Sequence, residues 1–166
     1  MTEREFGELV SQYSEQLYWN IRRMVNNHED ANDLLQNTFI KAWTNADSFR
    51  NDSKISTWLY RIAVNETLDF IRRQQRQPNG ESIDDFASLQ NSLRTDNYFD
   101  GDEAELKLHA AISTLPPAQR SVFNMKYFED KKYSEISKIL GTSEGALKAS
   151  YHLAVKKISS FFSDND

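Results

Sequence analysis

The feature that most limits what this chain can fold into is the spacing of its apolar residues, which return every three or four positions and rarely alternate. From Glu3 to Asn27 the residues Phe6, Leu9, Val10, Tyr13, Leu17, Ile21 and Val25 keep that period with charged residues between them, which predicts a long amphipathic helix. A second helix is expected after His28. Glu29 and Asp30 suit the positive end of a helix dipole, and Ala31, Leu34, Leu35, Phe39, Ala42 and Trp43 supply the face to be buried. It ends near Asn45. The stretch DSFRNDSKIST is rich in turn formers and lacks a sustained period, so it reads as an ordered loop before a third helix over Thr57 to Arg73. No strand pattern competes with these assignments, and no internal repeat is visible.

The period lapses between residues 76 and 103, where Pro78, Asn79, Gly80 and scattered acids leave only Ile83, Phe86, Leu89 and Leu93 as anchors. That composition reads as a flexible acidic linker. Periodicity resumes at Glu103 with Leu106, Ala110 and Ile112, breaks at Pro116 and Pro117, and restarts through Val122, Phe123, Met125, Tyr127 and Phe128. The expected architecture is all-α: a three-to-four-helix module over 1–75, the linker, and a second helical module over 104–166.

Charge distribution bears on the partner. The formal net charge of -5 is unusual for a nucleic-acid binder, since Lys and Arg supply most non-specific affinity by neutralising phosphate. Basic against acidic residues run 9 to 11 over 1–75, 2 to 7 over 76–103 and 9 to 7 over 104–166, so the acid is concentrated in the middle. Two near-neutral modules would bind DNA weakly alone, and a DNA-directed reading needs a partner that adds contacts. Cysteine is absent, which excludes disulfides and thiolate zinc sites. MTEREFGELV is no secretory signal, and nowhere do 18 apolar residues run consecutively. A cytoplasmic protein is expected, without membrane insertion.

The clearest motif lies in YSEISKILGTSEGALKASYHLAVKKI. Two helical runs flank Gly141, a residue able to take the left-handed conformation that ends a helix, and together they form a helix-turn-helix signature. Ile136, Ile139 and Leu140 form the packing face of the first run; Leu147, Tyr151, Ala154 and Ile158 form that of the second, with Ser143 as N-cap. The other face then presents Lys148, Ser150, His152 and Lys156, with Lys157 nearby, to phosphates or base edges in a major groove. An ordinary helical hairpin with solvated lysines is the competing reading. The proline-started LPPAQRSVFNMKYFE before it supplies the extra helix that small DNA-reading modules use to complete a core.

Taken in order, DANDLLQNTFIKAW, DSFRNDSKISTWLYRIAVNETLDFIRR and LPPAQRSVFNMKYFE followed by the helix-turn-helix resemble the extracytoplasmic-function group of bacterial RNA polymerase sigma factors, over the whole chain. The resemblance implies that the first module captures a melted minus-ten promoter element and that the second reads the duplex minus-thirty-five element. It also implies that Asp33 and Gln36, with Asn37 and Lys41 on the same polar stripe, dock on core RNA polymerase, although a solvated helix face is the simpler reading of that stripe. Most members of the group are held by a dedicated anti-sigma factor, so one is expected here.

The residue chemistry of the loop and third helix fits melting, because opening a duplex without fuel requires groups that hold unstacked bases and their phosphates. Arg50, Lys54 and Arg61 can meet phosphate; Asn51, Ser53 and Asn65 can hydrogen-bond a flipped base; Trp58 and Tyr60 offer ring faces. Trp58 can equally pack in the core. Arg72 and Arg73 suit phosphates at the duplex edge, or simply the negative end of their helix. In the recognition helix, Ser143 and Glu144 lie at the start, and Glu144 can accept from a cytosine amine while repelling phosphate. Ser150, Leu153 and Val155 stand where similar helices often carry a basic residue.

An enzyme is not expected. His28, His109 and His152 are isolated in sequence and none belongs to a nucleophile, metal-ligand or phosphate-loop pattern. Neither a cofactor nor a small-molecule substrate is implied. The alternatives are a stand-alone helix-turn-helix regulator, which would bind duplex DNA unaided, and a helical adaptor that binds only protein.

Overall fold

The computed structural model describes residues 1–49, 53–76 and 101–164. Arg50, Asn51 and most of the expected linker lie outside the described residues. Among those described, every regular element is helical: α1 (Glu3–Arg22), α2 (His28–Thr44), a 3₁₀ turn (Ala46–Ser48), α3 (Ile55–Arg76), α4 (Glu103–Ser113), α5 (Pro117–Tyr127), α6 (Tyr133–Leu140) and α7 (Glu144–Asp164). No helix among them is long and apolar enough to cross a membrane.

Several helix starts have a local cause. Thr2 Oγ1 accepts from the Glu5 amide at 3.1 Å while the Glu5 carboxylate accepts from the Thr2 amide at 2.8 Å, a closed capping box. Asn27 caps α2 through the Asp30 amide at 2.8 Å, and Asp102 caps α4 through the Glu105 amide at 2.9 Å. Proline at the first position of α5 costs nothing, because the amide it lacks has no partner there anyway.

Two boundaries differ from the periodicity. α1 stops at Arg22 rather than continuing to Asn27. Asn27 must be extended (φ -149°, ψ 163°) to cap α2, so the chain leaves the helix beforehand. Meanwhile α3 begins at Ile55 and runs to Arg76. The Arg73–Arg76 stretch holds good helix formers, and the next breaker is Pro78.

The first three helices pack through Leu17, Ile21, Ala31, Leu34, Ala42, Leu59, Ala63, Val64 and Leu68. That core does not close on itself. Val122 and Met125 of α5, Ile136 and Ile139 of α6 and Leu147 of α7 belong to the same buried cluster, so the two modules share apolar packing. A smaller cluster joins Ala111, Ile112, Leu115, Phe123, Ala154 and Ile158 within the second module. Trp43, expected to be buried, is 43% exposed, with one face covered by the Phe6 ring at 5.0 Å.

Candidate nucleic-acid interface

At 100° per residue, Lys54, Trp58, Arg61, Asn65, Asp69, Arg72 and Arg76 fall within an arc of about 80° along α3 and the residue before it. All but Trp58 are exposed. Trp58 is half-buried against Phe49, with ring centroids 5.2 Å apart, so part of its ring packs and part remains at the surface. Arg72 is paired with Asp69 at 3.3 Å, both exposed, a contact of little energetic weight that leaves its guanidinium able to exchange onto another anion. Arg73 is exposed beside the stripe, and Ser53 is half-buried before the helix. Arg76 extends the stripe beyond the point where the periodicity ended the helix. Its spacing of four from Arg72 was the available signal.

Tyr60 is elsewhere. It is 2% exposed, its hydroxyl donates to Glu129 Oε1 at 2.7 Å, and the Lys131 ammonium lies 3.9 Å from its ring centroid. Burial, and then the Glu129 carboxylate, push its hydroxyl far above the usual tyrosine range, so it stays protonated and donating. Arg61 is also in contact with the second module, donating from Nε to the Lys138 carbonyl at 2.6 Å.

On α2, Asp33, Gln36, Asn37 and Lys41 are exposed, as the polar stripe requires. Lys41 forms an ion pair with Glu66 of α3 and so helps fix α2 against it. Ile40, 62% exposed, lies between these groups and makes the stripe less polar than its sequence suggests.

The helix-turn-helix closes as its sequence implies. Gly141 takes φ +68° and ψ 26°, and its amide donates to the Ser137 carbonyl at 2.8 Å. Ser143 Oγ accepts from the Ala146 amide at 3.3 Å, capping α7. Leu147, Ala154 and Ile158 are buried and Tyr151 half-buried, leaving Lys148, His152 and Lys156 together on the exposed side within about 80° of arc. Ser150 is half-buried on one flank of that face. Lys157 is exposed on the same flank and donates to Gln119 of α5 at 3.3 Å. Glu144 is exposed at the helix start. Among the described residues, no group of three or more His, Cys, Asp or Glu side chains is placed to hold a metal.

Comparison with known proteins agrees with this arrangement in order and extent. Residues 9–77 match Sigma-70 region 2, and residues 105–158 match Sigma-70, region 4. The chain is 32% identical over 157 residues to the ECF RNA polymerase sigma factor SigW of Bacillus subtilis (strain 168), covering 89% of this chain and 83% of that protein. It is 33% identical over 134 residues to the RNA polymerase sigma factor SigV of the same organism, covering 80% and 75%. In fold it resembles the sigma factor RpoE from Bartonella quintana, solved with the anti-sigma factor NepR, at a TM-score of 0.76 with 23% identity, covering 96% of this chain and 98% of that one. It also resembles CnrH, solved with the cytosolic domain of CnrY, at 0.74 with 23% identity, covering 99% and 92%. With both family regions present in order and relatives aligned along most of its length, the chain belongs to the extracytoplasmic-function group of the sigma-70 family of RNA polymerase sigma factors.

Proposed function

We propose that this sigma factor docks on core RNA polymerase through the exposed face of α2, opens the minus-ten element along α3, and reads the minus-thirty-five duplex with α7. The observation that carries the reading is the stripe on α3. Its phosphate-binding cations, the amide of Asn65 and the accessible part of Trp58 share one face, the combination needed to hold a displaced strand. Lys148, His152 and Lys156 do the corresponding work on α7, as major-groove or phosphate contacts. Asp33, Gln36 and Asn37 supply the polymerase contacts on α2, with Lys41 steadying that face through Glu66. The protein acts where core polymerase is, in the cytoplasm. The fold neighbours solved with an anti-sigma factor and with a cytosolic partner domain support a similar protein antagonist here.

Asn65→Ala tests the α3 assignment, because it removes a base-edge partner from an exposed helical position with no core cavity. A well-formed amide contact to a base edge contributes roughly 1–3 kcal/mol. In reconstituted holoenzyme the variant should lose about tenfold or more in permanganate-detected opening of a duplex promoter and recover on a premelted bubble, with core affinity unchanged. Equal opening by variant and parent would reject the site. Asp33→Arg with Gln36→Ala should abolish association with core polymerase at unchanged helicity.

A further inference from the structure

The exposed side of α7 carries two stripes, and only one of them has hydrogen-bonding side chains. Lys148, His152 and Lys156 make the first. Beside it, Ala146, Ala149 and Leu153 fall within about 60° of arc, all of them exposed, and form an apolar strip along the first turns of the helix. Gly145, exposed at the start of the strip with open space where a Cβ would stand, adds no polar group to it. Cations border the strip on both margins. Lys156 and Lys157 follow Leu153 by one turn and straddle it, Lys157 lying on the flank away from Lys148 and His152. Val155 is exposed as well, but it lies about 160° from Leu153, at the margin of the packing face.

An apolar strip between two rows of cations matches the cross-section of a major groove, where base edges lie between two phosphate backbones. A protein partner would have to be acidic along both margins to fit the same face. What the strip can read follows from its atoms. Its side chains have neither donor nor acceptor, so they cannot tell apart the hydrogen-bonding patterns of guanine, adenine and cytosine. The apolar group that a major groove displays is the 5-methyl of thymine. Small residues at 145, 146 and 149 let the helix come close to the base edges, and the longer Leu153 reaches furthest from its axis. We propose that this strip, led by Leu153, selects thymine in the upstream duplex through its 5-methyl group, while the flanking lysines hold the helix to phosphate. The inference rests on the reading of α7 as the helix that enters the minus-thirty-five duplex, and it names the base chemistry read there. Burying one methyl against the strip strengthens binding by about fourfold at each such thymine.

The test uses holoenzyme reconstituted from the full chain and core polymerase. Holoenzyme binding first enriches a promoter library randomised across the upstream element. Each thymine of an enriched element is then replaced singly by deoxyuridine, which removes the methyl and leaves every base-pair hydrogen bond in place. At fixed ionic strength the parent should lose about fourfold in affinity at one or more of these positions. Leu153→Ser, a change at an exposed helical position that leaves no cavity, should bind the thymine and deoxyuridine forms equally at the base pair that Leu153 covers. An effect of the methyl on DNA stiffness alone would persist in that variant, so the two measurements together isolate the contact. Where the same base pair is changed to cytosine with guanine, 5-methylcytosine should regain about fourfold over cytosine with the parent and nothing with Leu153→Ser. Discrimination that is absent in the parent, or retained at every thymine by Leu153→Ser of native helicity, overturns the methyl contact. So does an enriched element made of G·C pairs alone. No enrichment at the upstream element overturns the minus-thirty-five reading itself and this inference with it, an outcome distinct from enrichment without methyl discrimination.

Discussion

At the scale of single residues, the helix-turn-helix depends on a backbone conformation more than on a contact. Gly141 sits at φ +68° with open space around the position a Cβ would occupy. Any cost of adding that atom is therefore conformational, roughly 1–2 kcal/mol for an L-residue in the left-handed region. Gly141→Ala should lower stability by about that amount in urea unfolding. Loss of DNA affinity well beyond the fraction unfolded would instead indicate that the turn itself touches DNA. This residue was legible in the sequence because its requirement is local: one glycine between two short helical runs. Tyr60 was not. Its ring type suggested stacking on a base, and only the position of Glu129 on a distant turn shows that it points into the closed molecule.

At the scale of elements, the helices and their order could be read from spacing because caps, prolines and apolar faces act within a few residues. What joins the two modules could not, since an apolar face does not say which distant helix will cover it and the polar residues beside it carry no period. Arg120 is the clearest case: 3% exposed, it donates to the Ser113 and Leu115 carbonyls at the end of α4 and to the Met24 carbonyl just beyond α1. One guanidinium on α5 thus satisfies carbonyls, two of them buried, at or just beyond two helix ends. Burial lowers its pKa to about 10, yet it remains charged at neutral pH. Hydrogen bonds from a charged donor contribute roughly 1.5–3 kcal/mol. Arg120→Ala should therefore cost at least about that much in denaturant unfolding, and Arg120→Lys, which cannot span three carbonyls, should recover little. A loss below about 1 kcal/mol would show that water replaces the guanidinium easily.

At the scale of the whole molecule, the two modules share a buried cluster, and the region where they meet contains an ionisable group. His109 of α4 stacks on Phe128 with ring centroids 5.7 Å apart and planes 9° from parallel. Burial, and then the nearby Arg23 and Arg22 at the end of α1, lower its pKa to about 4 from an ordinary value near 6.5. In the folded protein it is neutral through the mildly acidic range, while in the unfolded chain it takes up a proton. The unfolded state thus binds more protons between about pH 4 and 6.5, and stability must fall as pH falls through that window. The group imposes no such penalty above it. Its contribution to the slope can approach ~1.4 kcal/mol per pH unit in mid-window. Carboxylates add their own dependence toward the acid end, so the measurement is the difference between parent and His109→Phe, which keeps the stacked ring and removes the titration. Urea unfolding across the window should show the parent losing stability faster than the variant, with the two slopes converging near neutrality. Parallel stability curves for parent and variant would mean that His109 reaches water in the folded protein.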